Sequence, residues 1–280
     1  MQNARMQRFV PVPQDLSPWL EAAVVVGSPA ALAQTRFPAM VSSMLVVRLA
    51  GQVSCRGAQV PPAAWISAST RATVYEHGGP VHAVGLVLRP EAAAALLPGT
   101  RGLVNTLRPL AELAGPQWAA AEHAMRAAAD DGARLEALYQ FVRQMSAPPS
   151  PCEARRQQAL ALLHAARAGE RMGLSARQFE RRFAAQWGMP PKQFRVVARL
   201  NSALWHALAT PAGPVVELAA GHGYYDQSHM ARDVRRLAGD PLQALVQGSR
   251  APLSAHWPLQ IGARSPRPPP CAGAAPGTAA

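Results

Sequence analysis

Short runs of β-branched and aliphatic residues mark the first 90 positions of the chain. Residues 22–26, 44–49, 73–75 and 81–88 each fit a strand, and turns rich in Pro and Gly, such as Gly78-Gly79-Pro80, separate them. The pattern predicts a mostly β region over residues 1 to 90.

The period of the apolar positions changes after residue 90. Pro90 can serve as the first residue of a short helix over 91–97. Gly115-Pro116 opens a helical stretch that continues to residue 129. A further helix is predicted from residue 134 to residue 145, where Leu135, Leu138, Tyr139 and Val142 recur at helical spacing.

A proline-rich segment divides the chain. Residues 147–151 read Ala-Pro-Pro-Ser-Pro, which cannot continue a helix. We therefore predict a β-rich domain with a helical C-terminal part over 1–146, a linker over 147–152 and an all-α domain over 153–248. Residues 249–280 are rich in Pro, Gly and Ala and are expected to be a disordered tail. The predicted fold class is α+β.

A helix, a glycine and a second helix follow one another near residue 223. Val215, Leu218 and Ala219 give the first helix a narrow apolar stripe, Gly223 ends it, and Asp226 is placed to cap the next helix. In that next helix the spacing predicts an inward face of Met230, Val234 and Leu237, an outward face of Ser228, Arg232 and Arg235, and a free Gln227 at the N-terminus.

The segment around Ser175 has the same layout. Ser175 is expected to cap a helix whose Phe179 and Phe183 face inward. The opposite side carries Arg177 and Arg181, flanked by Gln178, Glu180 and Arg182. Arg suits guanine and Gln suits adenine, because each forms paired hydrogen bonds to a base edge in the major groove. The two segments therefore predict two helix-turn-helix units that read duplex DNA.

A long helix is predicted between the two units. It covers residues 190–208, with Phe194, Val197, Leu200, Leu204 and Leu208 on one side. About 18 helical residues span roughly 27 Å, close to the spacing of about 34 Å between successive major-groove faces. Such a spacer would present both recognition helices to one side of a duplex.

The net charge of the chain fits this function without establishing it. The formal charge is +12 at pH 7, which favours a polyanionic partner such as nucleic acid or an anionic membrane surface. A GC-rich genome also enriches Ala, Arg, Pro and Gly, so the composition alone leaves the partner open.

Four runs in the C-terminal half resemble the AraC/XylS family of bacterial transcription regulators. They are residues 173–183 (GLSARQFERRF), 188–194 (GMPPKQF), 223–230 (GYYDQSHM) and 235–241 (RRLAGDP), and the resemblance covers roughly residues 155–247. It implies two helix-turn-helix units joined by a long helix, with double-stranded DNA as the partner. By position it implies base contacts from Arg177, Gln178 and Arg181 in the first unit and from Gln227, Ser228, His229 and Arg232 in the second. Arg182 and Arg235 complete the predicted DNA-binding set.

The segment before the first unit departs from that family. Only residues 157–172 are available where the family has a helix, a loop and another helix. The positions that match the apolar stripe are Ala165, Ala168, Gly169 and Met172, which are smaller than the family would have there. We expect a shortened or a loosely packed first unit, and the second unit to be the more dependable reader.

The N-terminal half is similar to the sensor region of a subset of these regulators, through residues 83–91 and 107–113. The similarity implies a cupin-like or related β-barrel that serves an effector, dimerisation or both. It designates no effector-binding residue. The effector, a homodimer and a contact with RNA polymerase all stay open.

Other chemistry receives little support. Cys55, Cys152 and Cys271 lie far apart, with no cluster typical of zinc, and His77 and His82 lack the spacing of a cupin metal site. We expect no cofactor, no metal and no catalytic residue. Two alternatives remain: a DNA-modifying or repair protein with a reactive Cys55, and a small-molecule binding protein with a degenerate DNA-binding domain.

The N-terminal residues 1–13 lack the apolar segment of a signal peptide. No apolar run approaches the roughly 18 residues that span a bilayer. The sequence therefore predicts a cytoplasmic protein that does not enter a membrane.

Overall fold

An antiparallel sheet occupies the N-terminal part of the chain. The computed structural model describes residues 7–28, 32–146, 159–160, 163, 167–209 and 215–248. Within them the sheet has eight strands. They are β1 (Gln7–Val10), β2 (Leu20–Ser28), β3 (Gln34–Phe37), β4 (Ser43–Cys55), β5 (Ala58–Gln59), β6 (Ala63–Ile66), β7 (Thr73–Leu88) and β8 (Leu107–Pro109).

The two longest strands, β4 and β7, form the centre of the sheet. They pair with each other along most of their length, and the other edge of β7 pairs with β2 at its C-terminal half and with β3 at its start. The strand order is β1-β2-β7-β4-β6-β8, with β3 beside β7 and β5 beside β4. The strands predicted over residues 22–26 and 44–49 lie in β2 and β4.

The prediction of a turn at Gly78-Gly79-Pro80 is wrong, because β7 continues through these residues. Gly79 adopts a φ of +94°, and Gly51 of the neighbouring strand adopts +82°. The register of β4 against β7 shifts on both sides of Ala50. A side chain on Gly51 would run into the backbone of Pro80. The two glycines thus let both strands bend together without ending either.

Alternate residues of the sheet belong to two separate cores. Leu45 and Leu86 pack against the helices that follow the sheet, in a cluster that includes Trp118. Met44 and Val87 belong to a second cluster on the other face. This alternation follows from the two-residue period of a strand.

Three helices cover the first of these faces. They are α1 (Ala93–Leu96), α2 (Leu110–Ala127) and α3 (Asp131–Met145). The predicted helix over 91–97 is thus shorter than expected. The helix expected to open at Gly115-Pro116 begins at Leu110, and Gly115 kinks it with φ 51° and ψ −128°. The rings of Trp118 and Phe141, 5.5 Å apart and nearly perpendicular, lock α2 onto α3.

The C-terminal part is helical. Its helices are α4 (Ala168–Arg171), α5 (Ala176–Trp187), α6 (Pro191–Ala209), α7 (Val215–Gly221), α8 (Gln227–Ala238) and α9 (Leu242–Gly248). The α+β class, with a β-rich part followed by an all-α part, is confirmed. The predicted linker over 147–152 and the predicted tail over 249–280 lie outside the described residues. Across the described ranges, no helix is both long and apolar enough to cross a bilayer.

Candidate nucleic-acid interface

The second helix-turn-helix unit consists of α7, a turn and α8. Gly223 adopts a φ of +69° at the turn, which a residue with a side chain rarely does. Asp226 caps α8, since its Oδ1 accepts a hydrogen bond from the backbone N–H of His229 at 2.6 Å. Met230, Val234 and Leu237 are buried, as their spacing predicts. The side chain of Val215 lies outside what the structure describes.

The outward face of α8 carries the predicted readers. Gln227, Ser228, Arg232 and Arg235 are exposed. The Arg232 Nε donates to the backbone oxygen of Ser228 at 3.3 Å, so its guanidinium lies along the helix surface. His229 is half-buried, with its ring 5.4 Å from that of Tyr224. Of the readers predicted here, His229 is thus the most enclosed by the fold.

A buried charge network holds the second unit together, and sequence reasoning missed it. Asp233 is only 7 % exposed and accepts from Arg199 at 3.1 Å and from Arg236 at 2.7 Å. The Arg199 guanidinium also lies 4.3 Å from the centre of the Tyr224 ring and donates to the Gly223 oxygen. Arg199 of α6 therefore ties the turn of the unit to the inner side of α8. The sequence signal that could have indicated this network is Asp233, an acidic residue within a helix that is otherwise basic.

The first unit consists of α4, a turn at Gly173 and α5. The helix α4 has four residues, and much of the segment before it, on which the predicted shortening of the unit depends, lies outside the described residues. A Cβ atom on Gly169 would lie 2.8 Å from the Leu174 oxygen, so the small residue lets α4 approach the start of α5. The small side chains upstream of the turn thus allow close contact within the unit.

An aromatic cluster forms the core of the first unit. The rings of Phe183 and Trp187 stack with centres 4.3 Å apart, and Phe194 of α6 meets Phe183 edge-on at 5.5 Å. Phe179 lies 5.9 Å from Phe183. These ring contacts fix α5 against α6 by apolar and aromatic packing.

The outward side of α5 presents three arginines. Arg177, Arg181 and Arg182 are exposed, and no ion pair is formed by them among the residues that the structure describes. Gln178 has a second task, because its Oε1 accepts from the Ser175 N–H at 2.9 Å while Ser175 Oγ accepts from the Gln178 N–H. This reciprocal capping box leaves only the amide NH₂ group of Gln178 available to a partner.

The helix α6 belongs to both units. Phe194 packs with the aromatic cluster of the first unit, whereas Val197, Leu200 and Leu204 pack with the core of the second. Its 19 residues extend about 28 Å at 1.5 Å per residue. The predicted spacer helix is therefore present. The start of its buried face packs against the first unit, and the residues that follow pack against the second.

A cavity of about 370 Å³ lies in the N-terminal sheet. Phe37, Met44, Tyr75 and Leu107 contribute apolar lining, and Ser42 and Asn105 contribute polar groups. A volume of this size falls within the range of small-molecule sites, about 300–1,000 Å³. The cavity is the second candidate site of the molecule.

The surroundings of Cys55, His77 and His82 do not favour a reactive thiol or a metal site. Burial raises the pKa of the Cys55 thiol, with Glu76 acting in the same direction, and this disfavours the reactive thiolate. His77 Nε2 lies 3.0 Å from Thr35 Oγ1, and His82 Nε2 lies 3.0 Å from Asp131. Among the described residues, no group of three or more His, Cys, Asp and Glu side chains is placed to hold a metal ion.

Comparison with known proteins gives a family match in the C-terminal part of the chain. Residues 169–247 match a family model described as a helix-turn-helix domain. Among solved structures, ToxT from Vibrio cholerae is 6% identical, with a TM-score of 0.47 over 80% of this chain and 95% of ToxT. A Vibrio cholerae ToxT structure bound to an unsaturated fatty acid is 8% identical, with a TM-score of 0.47 over 80% and 94% of the two chains. No curated protein matches the chain.

Proposed function

We propose that this chain, whose residues 169–247 form an AraC-type helix-turn-helix domain, is a non-enzymatic transcription regulator that binds duplex DNA with sequence specificity. The observation that carries the proposal is the pairing of two capped helices, α5 and α8, on one long helix. Each has a buried apolar side and an outward side of Arg and polar residues.

The outward residues divide into two roles by chemistry. Arg177, Arg181 and Arg232 suit guanine, and Gln227 suits adenine, since each can form two hydrogen bonds to a base edge. The phosphate backbone is contacted by Arg182 and Arg235. Ser228 and His229 lie at the start of α8, where backbone N–H groups and short polar side chains also suit phosphate or a base edge.

Gln178 takes a positioning role in this proposal. Its side-chain oxygen is engaged with Ser175, so it sets the direction in which α5 begins. Only its NH₂ group would reach the DNA. The second unit therefore supplies the larger number of free polar groups to the base edges.

We further propose that the cavity in the sheet holds a small effector. Its apolar lining, with Ser42, Asn105 and Arg56 at polar positions, suits a mostly apolar molecule with one polar or anionic group. DNA binding would then depend on the concentration of that effector.

A selection from a random duplex library with the full chain tests the proposal. We expect enrichment of one bipartite sequence, bound with a dissociation constant on the order of 10⁻⁸ M or lower, and a loss of affinity as salt rises. Equal affinity for all duplexes would contradict it. In the enriched sequence, Arg232→Ala should cost about 1–3 kcal/mol of discrimination at one base step. Arg126→Ala removes one positive charge from α2 and is the matched control.

A further inference from the structure

Two loops of the N-terminal sheet contact the ends of the two recognition helices. The first covers residues 38–42, between β3 and β4, and the second covers residues 100–106, before β8. We name them the rim loops. Neither belongs to the helical part of the chain, and both lie 70 or more residues before the helices that they contact.

The first rim loop contacts α8 and α6. The Ala39 N–H donates to the Leu237 oxygen at 2.7 Å. Asn201 of α6 donates through Nδ2 to the Ala39 oxygen at 2.7 Å and accepts through Oδ1 from the Val41 N–H at 3.1 Å. Ala39 is fully buried in the core of the second unit. Next to this loop, Arg36 pairs with Asp240 at 2.9 Å.

The second rim loop contacts α5. The Gly102 N–H donates to the Gln186 oxygen at 3.1 Å. Val104 packs against the aromatic core of the first unit. The approach is close, since a Cβ atom on Gly102 would lie 2.9 Å from the Ala185 oxygen and one on Gly188 would lie 3.0 Å from the Val104 Cβ.

The two contacts are equivalent in position. Gln186 is the penultimate residue of α5, and Leu237 is the penultimate residue of α8. The carbonyl groups in the last turn of a helix lack partners within the helix. In each recognition helix, a backbone N–H of the sheet part satisfies the carbonyl at the same place.

The rim loops are joined through residues 68–70, which lie between β6 and β7. Met40 and Ser69 exchange backbone hydrogen bonds of 3.2 and 2.7 Å, and Asn105 donates to the Ala68 oxygen at 2.9 Å. The Asn105 side chain accepts from the Thr70 N–H. Met40, Ser69 and Asn105 also line the cavity. One continuous wall therefore has the cavity on one side and the ends of both recognition helices on the other.

We propose that the rim loops fix the distance and angle between the two recognition helices, with Asn201 as the main positioning residue. This rests on the proposed function. The helix α6 joins α5 and α8 through their packed sides, and the rim loops hold their C-terminal ends. The sheet thereby sets the half-site spacing that the protein accepts, and a molecule in the cavity acts on DNA binding by displacing Met40 or Asn105.

Duplexes that differ only in half-site spacing test this proposal with the full chain. The sequence enriched by selection is lengthened or shortened by one or two base pairs between its halves. For the wild type we expect affinity to fall about tenfold or more at a change of two base pairs, since the halves then rotate around the duplex. For Asn201→Ala we expect that loss of affinity to shrink to about threefold or less. Without the Asn201 hydrogen bonds the two recognition helices can move, and their movement compensates for the added or removed base pairs.

Two further variants keep the test interpretable. Ser202→Ala lies next to Asn201 in α6 and should keep the wild-type penalty. Arg36→Gln removes a partly exposed ion pair to the end of α8, and should reduce the penalty even if Asn201→Ala unfolds. If the wild type enriches no sequence, the proposed function fails. If it does, and folded Asn201→Ala and Arg36→Gln both keep the wild-type penalty, the positioning role alone is overturned.

Discussion

The two helix-turn-helix units present similar outward faces but are held together by different physics. The first has a core of four aromatic rings, Phe179, Phe183, Trp187 and Phe194, and no buried charged side chain belongs to it among the described residues. The second has a buried carboxylate, Asp233, between two guanidinium groups. Apolar packing tolerates small shifts, whereas a buried ion pair is stable only with its hydrogen bonds in place.

This difference indicates a division of labour. Arg199 and Asp233 have directional bonds that fix the turn and the inner side of α8, so the readers on its outward side are held at defined positions. In the first unit, the position of α5 depends mostly on the apolar surface that the aromatic rings bury, which is less directional. The second unit thus holds α8 in a defined orientation, and four changes test this difference between the units.

Phe183→Ala should have the largest effect, confined to the first unit. Phe183 is 2% exposed and contacts three other rings, so its removal leaves a cavity and should cost about 3–5 kcal/mol of unfolding free energy. Denaturant unfolding measures this, and amide hydrogen exchange should show α5 exchanging faster than α8. Phe183→Leu keeps most of the volume and is the control. Equal acceleration in both helices would mean that the units do not differ as described.

Asp233→Asn should have the next largest effect, on the second unit. It leaves Arg199 without its counter-charge, which costs about 3–5 kcal/mol for a fully buried pair. The Arg199 side chain keeps 23% of its exposure, so we expect about 2–3 kcal/mol in denaturant unfolding. Asp226→Asn retains a capping group on the same helix and should change little. An unchanged free energy of unfolding in Asp233→Asn would refute the stabilising role of the network.

Gln178→Ala should weaken the first unit slightly. It removes one half of the capping box and should cost about 0.5–1 kcal/mol by thermal unfolding. Base preference should change less than it does in Gln227→Ala, because the Gln178 oxygen is already engaged. A larger loss of base preference in Gln178→Ala would assign it to reading instead of positioning.

Acidification should have the smallest effect, and of the two units it should act on the second. Burial lowers the pKa of His222, with His206 acting in the same direction. The unfolded chain then binds the proton more readily than the folded one, so stability is lost as pH falls below about 6.5. Residues 169–194 contain no histidine.

The pH effect is measured as hydrogen exchange in α8 between pH 7.5 and 5.5. Burial raises the pKa of Glu21 to about 7 and lowers the pKa of His77, so acidification stabilises the sheet through Glu21 and destabilises it through His77. The comparison of wild type with His222→Gln isolates the contribution of His222. Identical pH profiles for the two proteins would contradict this prediction.

The sequence was informative where a feature is local. The caps Ser175 and Asp226, the turn at Gly223 and the buried positions of α5 and α8 all follow from spacing within a few residues. Which outward residues contact DNA stays a prediction, which the change of base preference in Arg232→Ala and Gln227→Ala tests.

Features that depend on distant residues gave no such signal. The continuous β7 depends on Gly51 of a neighbouring strand, so Gly78-Gly79-Pro80 alone indicated a turn. The hydrogen bond from the Asn201 side-chain amide to the Ala39 backbone oxygen joins residues 162 positions apart, and its acceptor is a group that every residue carries. Periodicity describes one element at a time, and these contacts arise only when two elements meet.

The meeting of Gly102 with the end of α5 has a consequence for genetics. Gly102 and Gly188 adopt φ angles of +72° and +70°, and neither has a side chain to remove. A scan that truncates residues to alanine measures lost contacts, but at these two positions it adds a methyl group where there is no room. Substitutions there would register as DNA-binding defects far from any base-reading residue, and such alleles would mark the communication between the two halves of the molecule.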